Sequence, residues 1–319
     1  MAIITNTFQT FQAKGIREDL SDVISRVAME ETPFQSNIGK ESASNTFYEW
    51  NTDDLAAVDL ANAQIEGDDI GAYDAVAPTV RLGNYTQIMR KTIIIADTEE
   101  TVRKAGRKSE VAYQIVKKGI ELRRDAEAIM LSNQGAAAGS TGVARKTGSL
   151  LAFIKTNTNF GATGANPVYT NIPTATRTDG TQRAFTEALV KDVLQQIYRN
   201  GGKTDLLMLG PKNKQVASTF AGIAQLRTDT MKKPATIVGA ADVYLGDFGP
   251  VAMTPNIFQR ERDALFVDTN YASVATLRPY KVVDLAKTGD ATKKMLIMEA
   301  GLKVLNEKSH GIVADLTDA

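Results

Sequence analysis

The sequence contains no cysteine, and His310 is its only histidine. A chain without cysteine forms no disulfide, no thiolate zinc site and no iron–sulfur cluster, and it offers no cysteine nucleophile. A single imidazole also excludes multi-histidine metal sites, and a serine triad would depend on His310 alone. The residues beside His310 predict a turn and supply neither a carboxylate nor a nucleophile. We therefore predict no catalytic residue, no metal site, no cofactor and no enzymatic activity.

The sequence also lacks an excess of charge, a targeting signal and any long apolar run. Its 37 basic and 37 acidic side chains balance, whereas a dedicated nucleic-acid reader normally has a cationic excess. The first residues have no secretory pattern, and no run approaches the roughly 18 apolar residues of a membrane span. With 319 residues, 43% of them apolar, the chain is expected to fold and to be made in a reducing cytoplasm. Its length predicts about two domains.

The N-terminal region predicts an arm followed by a short helix. Residues 1–15 are rich in threonine, glutamine and asparagine, with isolated Phe8 and Phe11, which is a poor basis for a core element. From Arg17 to Glu30, apolar residues recur at the spacing of one helical face, and Pro33 ends the pattern. This region is expected to have almost no core of its own.

A long hairpin is predicted over residues 46–96. Two β-prone runs flank an acidic loop that includes Asp68 and Asp69, which we interpret as a solvated tip because the register of an EF-hand is absent. A two-stranded ribbon is marginal alone in water, so a surface outside the ribbon is expected to cover its large side chains. Those side chains are Trp50, Tyr85, Ile88 and Met89.

A single long helix is predicted over about residues 109–132. Apolar residues follow one another at alternating three and four positions, Ser109 is a candidate N-cap, and the remaining positions are largely charged. At 1.5 Å per residue this rod is about 35 Å long, and it buries only a narrow stripe. A shorter helix is predicted before it, with Asp97 as its N-cap and Glu100 as the reciprocal acid.

The remainder of the chain predicts a long loop and then a mixed α/β region. Residues 134–183 contain few large apolar groups, and a loop of that length is expected to be mobile or held by a neighbour. From residue 186, helices and short strands alternate. The late part predicts separate strands at 236–238, 243–245, 251–253, 264–267, 273–277, 281–285, 294–300 and 301–305.

The order of these elements, with several short sequence words, resembles the major capsid proteins of tailed phages. The words are Arg81-Leu82-Gly83-Asn84-Tyr85-Thr86-Gln87-Ile88, Arg90-Lys91-Thr92, Ser109-Glu110-Val111-Ala112-Tyr113-Gln114, Arg124-Asp125-Ala126-Glu127, Leu277-Arg278-Pro279-Tyr280, Lys287-Thr288-Gly289-Asp290 and Asn306-Glu307-Lys308-Ser309-His310-Gly311. The likeness runs over most of residues 35–316. This family shares its capsid fold with the herpesvirus floor domain and with encapsulins.

The resemblance implies an α+β fold, the tailed-phage major capsid fold. Its parts are an N-arm, an extended E-loop hairpin, a peripheral domain with a long spine helix, and an axial α/β domain. The implied segments are 1–45 for the N-terminal arm and short helix, 46–96 for the E-loop, 97–185 for the peripheral domain, 186–270 for the axial domain, and 271–319 for strands returning to the peripheral domain.

The resemblance also implies a function. The chain is expected to be a structural protein of a phage virion, assembled in the bacterial host cytoplasm as hexamers and pentamers that form an icosahedral shell around double-stranded DNA. The E-loop is expected to lie over the spine helix of the adjacent subunit. Candidate subunit-interface residues are Phe8, Phe11, Trp50, Asp68, Asp69, Tyr85, Ile88, Met89, Arg90 and Arg124.

Further partners are implied in the same way. The chain starts almost directly with the arm, so a separate scaffolding protein is expected, with a portal and no membrane. The inner face is expected to contact DNA nonspecifically. The candidate cations are Lys14, Arg17, Arg26, Arg123 and Arg124.

Two alternatives remain open. An encapsulin-like compartment shell would share the fold and enclose enzymes in place of a genome. An enzyme of unknown type would use Lys203, Thr204 and the acidic loop, because Gly202-Lys203-Thr204 resembles the end of a phosphate-binding loop. A helix precedes that turn where a strand is needed, so the helix C-cap interpretation is favoured.

Overall fold

The protein, seen here in a computed structural model, is described over residues 31–67, 73, 75–102, 106, 108–220 and 243–317. Several predictions therefore lie outside the described residues. They concern the helix at 17–30, Phe8 and Phe11, the acids Asp68 and Asp69, the strand at 236–238, and the cations Lys14, Arg17 and Arg26.

The helices of the described ranges are dominated by one long rod. They are α1 (Pro33–Asn37), α2 (Asp97–Thr101), α3 (Glu110–Leu131), α4 (Leu150–Phe153), α5 (Glu187–Arg199) and α6 (Pro211–Ala217), with a 3-10 turn at Glu307–Ser309. Helix α3 confirms the predicted long helix, and the Ser109 side chain caps it by accepting a hydrogen bond from the Ala112 amide at 3.1 Å.

The acids of the short helix α2 do not act as predicted. Asp97 is the first residue of α2, and no side-chain cap bond is formed by Ala96, the residue at the cap position. The Asp97 carboxylate instead accepts hydrogen bonds from Lys287 and from Thr292. The Glu100 carboxylate accepts from the Glu110 amide at 2.9 Å, so it caps the following helix, α3.

Three sheets are formed by twelve strands within the described ranges. The strands are β1 (Gly39–Ser42), β2 (Phe47–Thr52), β3 (Val80–Tyr85), β4 (Gln87–Ala96), β5 (Thr158–Asn159), β6 (Leu206–Leu209), β7 (Val243–Gly246), β8 (Gly249–Pro255), β9 (Ala264–Val267), β10 (Ala272–Asp284), β11 (Ala291–Val304) and β12 (Gly311–Val313). The four-stranded sheet has the order β1-β10-β11-β4, the six-stranded sheet the order β5-β12-β9-β6-β8-β7, and β2 pairs with β3 alone.

The predicted hairpin over 46–96 is wrong in its second half. Strands β2 and β3 form an antiparallel pair, but β4 leaves them and pairs with β11 in the four-stranded sheet. The partner strand lies about two hundred residues further along the chain. The pattern of residues around β4 alone therefore does not predict this pairing. Residues 53–79, between β2 and β3, contain no helix or strand where they are described. We call them the extended loop.

The late strands are longer than predicted. The four runs expected at 273–277, 281–285, 294–300 and 301–305 form two continuous antiparallel strands, β10 and β11. Pro279 lies inside β10, where two register shifts between Thr276 and Lys281 mark irregular pairing. Such irregularities are the places in a sheet where proline is tolerated.

The loop at 134–183, predicted to be mobile or held by a neighbour, is packed against the body of its own subunit. It contains α4, whose residues are all buried. The buried Arg177 donates to the Ile154 carbonyl at 2.9 Å, and the buried Asp315 accepts from the amides of Gly161 and Gly180. Arg177 of the loop itself and Asp315 from the C-terminal part of the same chain therefore supply hydrogen bonds that a loop without large apolar groups needs.

The hydrophobic core has two clusters, one on each face of the six-stranded sheet. Alternate residues of β9 divide between them: Leu265 faces the cluster built on α3 and α4, and Phe266 faces the cluster built on α5 and α6. The first cluster continues onto one face of the four-stranded sheet through Met89 and Leu296. The six-stranded sheet is thus covered twice, and the four-stranded sheet has helix cover on the α3 side.

Candidate subunit-interface site

The extended loop presents apolar side chains to solvent. Every described residue of it is exposed. Six large apolar side chains in it are each at least 78% exposed: Leu55, Val58, Leu60, Ile65, Tyr73 and Val76. Burying one such side chain stabilises by about 1.5–3 kcal/mol, and a concentration of them in one exposed segment is typical of an interaction site.

The extended loop is also strongly acidic. Residues 53–79 contain seven aspartates and glutamates and no lysine or arginine. Asp54 reaches Lys308 of the body at 2.7 Å. Asp59 accepts only a local hydrogen bond, from the Ala61 amide. Among the described residues, Lys308 is the one cation that pairs with an acid of this loop, so most of the loop's described negative charge has no cationic partner there.

The base of the loop, by contrast, is fixed to the body of the same subunit. Asn84 is fully buried and its Nδ2 donates to the Leu302 carbonyl at 2.6 Å, while its Oδ1 accepts from the Gly148 amide at 2.8 Å. The Tyr48 hydroxyl donates to the same Leu302 carbonyl at 2.8 Å. The extended loop therefore projects from an anchored base.

Two of the predicted interface residues are core residues. Trp50 packs 6.1 Å from the Phe153 ring and is only 8% exposed, and Met89 belongs to the cluster under α3. Their cover comes from α4 and α3 of the same chain, which a hairpin considered alone does not reveal. Tyr85 is half-buried beside Phe47, with ring centroids 4.8 Å apart.

Ile88 and Arg90 are exposed, and they lie on a further surface of interest. In β4 the residues Met89, Lys91 and Ile93 face α3, and the Lys91 ammonium contacts the Asp125 carboxylate of α3 at 2.5 Å. Alternate residues therefore face away from the helix. With the strand register, this defines the outer face: Ile88, Arg90, Thr92 and Ile94 of β4, Met295 and Ile297 of β11, and Lys281 and Val283 of β10.

The outer face combines apolar and cationic side chains. Ile94 is 65% exposed, half-buried Met295 lies opposite Thr92, and half-buried Ile297 lies opposite Arg90. Arg90 and Lys281 are exposed and lie on either side of Ile297 in the register. Neither cation has a carboxylate partner among the described residues. This surface therefore offers positive charge around an apolar stripe.

A buried ion-pair network closes one end of the outer face. The Glu299 carboxylate accepts from Arg145, from Arg278 at 2.7 Å and from the Thr86 hydroxyl at 2.8 Å. Burial acts to raise the pKa of Glu299, but the hydrogen bonds from Thr86 and Arg278 outweigh it and leave the pKa below its usual value. Beside this network, residues 138–145 and Ile88 enclose a cleft of about 350 Å³.

The spine arginines are engaged within the subunit. The Arg124 guanidinium lies 5.2 Å from the centre of the Phe258 ring, and Arg123 donates to the Ser36 hydroxyl at 2.8 Å. Nearby, the fully buried Glu127 carboxylate accepts from the amides of Phe34 and Gln35 and from Asn256. Glu127 thus joins α1, α3 and the end of β8, a role that the sequence pattern did not indicate.

The glycine of the segment considered for phosphate binding, Gly202, lies at the end of helix α5. The Gly202 amide donates to the Ile197 carbonyl, which confirms the helix C-cap, and a Cβ on Gly202 would come within 2.9 Å of the Lys308 carbonyl oxygen. Within the described ranges, no group of three or more acidic or histidine side chains could hold a metal, and no helix is long and apolar enough to cross a membrane.

His310 follows directly on the predicted turn, the 3-10 turn Glu307–Ser309, and its ring does not lie at the surface. It is fully buried, its Nδ1 accepts from the Asp268 amide at 3.3 Å, and its Nε2 lies 3.4 Å from the Tyr271 carbonyl. Burial lowers the pKa of His310 to about 4, so the ring is neutral near pH 7. The turn before it packs against the body, which places the ring in the core.

Solved structures with the same architecture are capsid and compartment shells. The cyanophage A-1(L) capsid chain aligns with a TM-score of 0.66 at 11% identity, over 97% of this chain and 98% of that one. The cyanophage P-SCSP1u capsid gives 0.60 at 13% identity, over 99% and 97%. An encapsulin from Synechococcus elongatus gives 0.52 at 9% identity, over 93% of each chain. The fold is thus the tailed-phage capsid fold, which these phage capsid and encapsulin chains share.

Sequence comparison identifies the family within that class. The family model for the SU10 major capsid protein matches residues 3–317. The major capsid protein of Escherichia phage Phieco32 is 30% identical over 346 aligned residues, which cover 96% of each chain. The chain belongs to the SU10 major capsid protein family. It is a major capsid protein of a tailed phage, a structural component of the virion.

Proposed function

We propose that this chain assembles as hexamers and pentamers into a closed icosahedral shell, formed in the host cytoplasm, that encloses double-stranded DNA. The observation that carries the assembly proposal is the extended loop, whose large apolar side chains are exposed in the part of the subunit that the structure describes. In a closed symmetric assembly every copy has an equivalent neighbour. The surface of that neighbour can therefore bury the apolar side chains that are exposed on the loop of a single subunit.

The compartment-shell alternative has less support. The encapsulin likeness lies at 9% identity and shows the fold alone. The family match, by contrast, covers nearly the whole chain and is with a phage capsid protein. We therefore infer that the cargo of the shell is a genome.

Further partners follow from the capsid role. We infer a separate scaffolding protein, a portal, and nonspecific contact between DNA and the inner face. Arg123 is exposed, which supports the DNA contact, whereas the guanidinium of Arg124 packs over the Phe258 ring of the same subunit. Nonspecific contact of this kind depends on phosphate charge and weakens as salt is raised.

The test compares assembly of two matched triple variants with that of the natural chain. Replacing Leu55, Val58 and Leu60 by serine removes three exposed apolar side chains. Replacing Ala56, Ala57 and Ala61 by serine in the same loop adds the same hydroxyls and removes little apolar surface. Each protein is expressed alone and examined by sedimentation velocity and negative-stain electron microscopy.

We expect particles from the natural chain and from the alanine variant. The Leu55/Val58/Leu60 variant should remain as folded subunits with an unchanged circular dichroism spectrum. Equal assembly of all three proteins would contradict the proposal that the loop lends its apolar side chains to a neighbour. A natural chain that forms no particle under any assembly condition would contradict self-assembly by this chain alone.

A further inference from the structure

We propose that Asn200, which Gly201 follows at the end of helix α5, is a site of spontaneous deamidation that is open in the unfolded chain and closed in the folded subunit. The sequence contains an asparagine followed by glycine once. Asparagine is among the thermally labile residues, and glycine has no side chain to hinder approach to its backbone nitrogen. The site is a chemical property of each copy and does not depend on assembly.

The reaction needs only the chain and water. The Gly201 nitrogen gives up its proton to solvent base and attacks Cγ of Asn200. The new C–N bond closes a succinimide ring, the Cγ–Nδ2 bond breaks, and the nitrogen leaves as ammonia with a proton taken from water. Water then opens the ring at either carbonyl, which produces aspartate or isoaspartate at position 200. The backbone nitrogen must therefore lose a proton, and Cγ must turn towards it.

The end of helix α5 holds the nucleophile in the folded subunit. The Gly201 N–H donates to the Tyr198 carbonyl at 3.0 Å, and the Gly202 N–H donates to the Ile197 carbonyl at 3.0 Å. Gly201 adopts a φ of +78°, the left-handed conformation that completes such a cap. These hydrogen bonds fix the peptide group between positions 200 and 201, and they stabilise the protonated form of its nitrogen.

A buried asparagine holds the electrophile. The Asn200 Nδ2 donates to Oδ1 of Asn157 at 2.6 Å. Asn157 is fully buried, and its own Nδ2 donates to the carbonyls of Lys308 at 2.6 Å and His310 at 2.9 Å. Both amide protons of Asn157 are thus used, so its oxygen is the group that it presents to Asn200. The side chain of Asn200 is exposed, but this bond restrains the turn that would bring Cγ to the backbone nitrogen.

The product of deamidation fits the folded subunit less well than asparagine does. A carboxylate at position 200 only accepts hydrogen bonds, and it would face the Asn157 oxygen, which also only accepts. Asn157 cannot offer its amide instead without losing the carbonyls of Lys308 and His310. Isoaspartate would also lengthen the backbone inside the cap. A chain that deamidates while unfolded therefore carries a lasting mark that weakens the end of α5 after refolding.

The test measures deamidation site by site in dilute subunit, kept in mildly alkaline buffer with and without unfolding urea. Peptide mass spectrometry follows the gain in mass at position 200, and an isoaspartyl methyltransferase detects isoaspartate. Asn62 of the extended loop, exposed and followed by Ala63, is the internal reference. Two matched variants are compared. Asn157→Ala removes the partner of Asn200, and Asn166→Ala removes a half-buried amide that donates to residues of its own loop.

We expect the reaction at position 200 to be at least about tenfold slower in buffer than in urea, because only transiently opened molecules react in buffer. Asn62 should change by less than about threefold. In buffer, Asn157→Ala should speed the reaction at least about threefold, and Asn166→Ala should not. Equal rates in buffer and urea would overturn the proposal, as would no reaction in urea or equal effects of the two variants. Should Asn157→Ala fail to fold, the natural chain in buffer and in urea still decides it.

A second measurement examines the product. Asn200→Asp should lower the thermal midpoint of the subunit by roughly 2–4 °C. Asn62→Asp makes the same chemical change in the exposed extended loop and should leave the midpoint unchanged. An Asn200→Asp subunit as stable as the natural one would contradict the role given to the bond between Asn200 and Asn157.

Discussion

The two large sheets of this subunit differ in how completely the chain covers them. The six-stranded sheet has helices α3 and α4 against one face and α5 and α6 against the other, and both central strands, β6 and β9, are buried throughout. In the ranges that the structure describes, the four-stranded sheet has α3 on one face, and Ile88, Arg90 and Ile94 of β4 are exposed on the other.

The difference separates two kinds of stability. Residues of the six-stranded sheet stabilise the subunit, because their apolar area is removed from water when one chain folds. Residues of the outer face that are exposed in the described part of the chain add little to that folding. Under the proposed assembly, their apolar area would be removed from water when another copy binds.

The largest effect is expected inside the six-stranded sheet. Phe266→Ala removes a fully buried ring from β9 and should lower the free energy of unfolding of the subunit by about 3–5 kcal/mol. Urea unfolding, performed below the concentration at which particles form, measures it. A loss below about 1 kcal/mol would show that this face of the sheet is not tightly packed.

A slightly smaller effect is expected from pH beside the same sheet. Burial lowers the pKa of His310 to about 4 and raises that of Asp263 to about 6. Below about pH 6.5 the histidine binds a proton in the unfolded chain but not in the folded chain. His310 therefore lowers the free energy of unfolding of the protein as pH falls toward 4. Asp263 acts oppositely, because the folded chain binds its proton first as pH falls below 6.

The two contributions are each about 3 kcal/mol and should largely cancel. Compared with the natural chain, Asp263→Asn should therefore lose more unfolding free energy between pH 6.5 and 4, and His310→Gln should lose less. Urea titrations at each pH, with all proteins compared at the same values, measure the difference. Parallel pH profiles for the three proteins would contradict the assignment.

An intermediate effect is expected at the helix that covers the four-stranded sheet. Glu127→Ala leaves the amides of Phe34 and Gln35 and the Asn256 side chain without their acceptor, and should cost about 2–3 kcal/mol of unfolding free energy. Glu127→Gln keeps one acceptor oxygen and should cost less. Glu121→Ala, on the same helix but paired only with Lys118 near the surface, is the control and should cost no more than about 1 kcal/mol.

The smallest effect on the subunit is expected on the outer face. Ile94→Ala should change the unfolding free energy by no more than about 0.5 kcal/mol, because the side chain is largely exposed already. The same change should raise the subunit concentration needed for assembly. A large loss of subunit stability would show that this face is covered within the chain, and would remove the contrast between the two sheets.

The sequence indicated the parts of this fold that depend on local pattern. The period of apolar residues and Ser109 predicted α3, and Gly201-Gly202 predicted the end of α5, where Gly201 adopts a φ of +78°. Both features depend on residues within a few positions of each other. Such features are predictable from the sequence because the hydrogen bonds and backbone angles that form them involve residues close together in the chain.

Features that depend on distant pairing were not predictable. Strand β4 looked like half of a hairpin because its true partner, β11, follows some two hundred residues later. Trp50 looked uncovered because Phe153 of α4 lies a hundred residues away. Within the candidate site, Ile88 and Arg90 were singled out from the sequence, but the outer face they share with Lys281 and Met295 appears only through the register of three strands.

The most direct test of the account measures solvent access at one position in two states. A Val58→Cys variant, its only thiol on the extended loop, is labelled with a maleimide as dilute subunit and as purified particle. We predict fast labelling of the subunit and at least tenfold slower labelling of the particle. A tenfold slower rate corresponds to a free energy of about 1.4 kcal/mol for exposing the thiol in the particle. Equal rates in the two states, or a thiol already protected in the dilute subunit, would contradict the claim that copies of this chain cover one another.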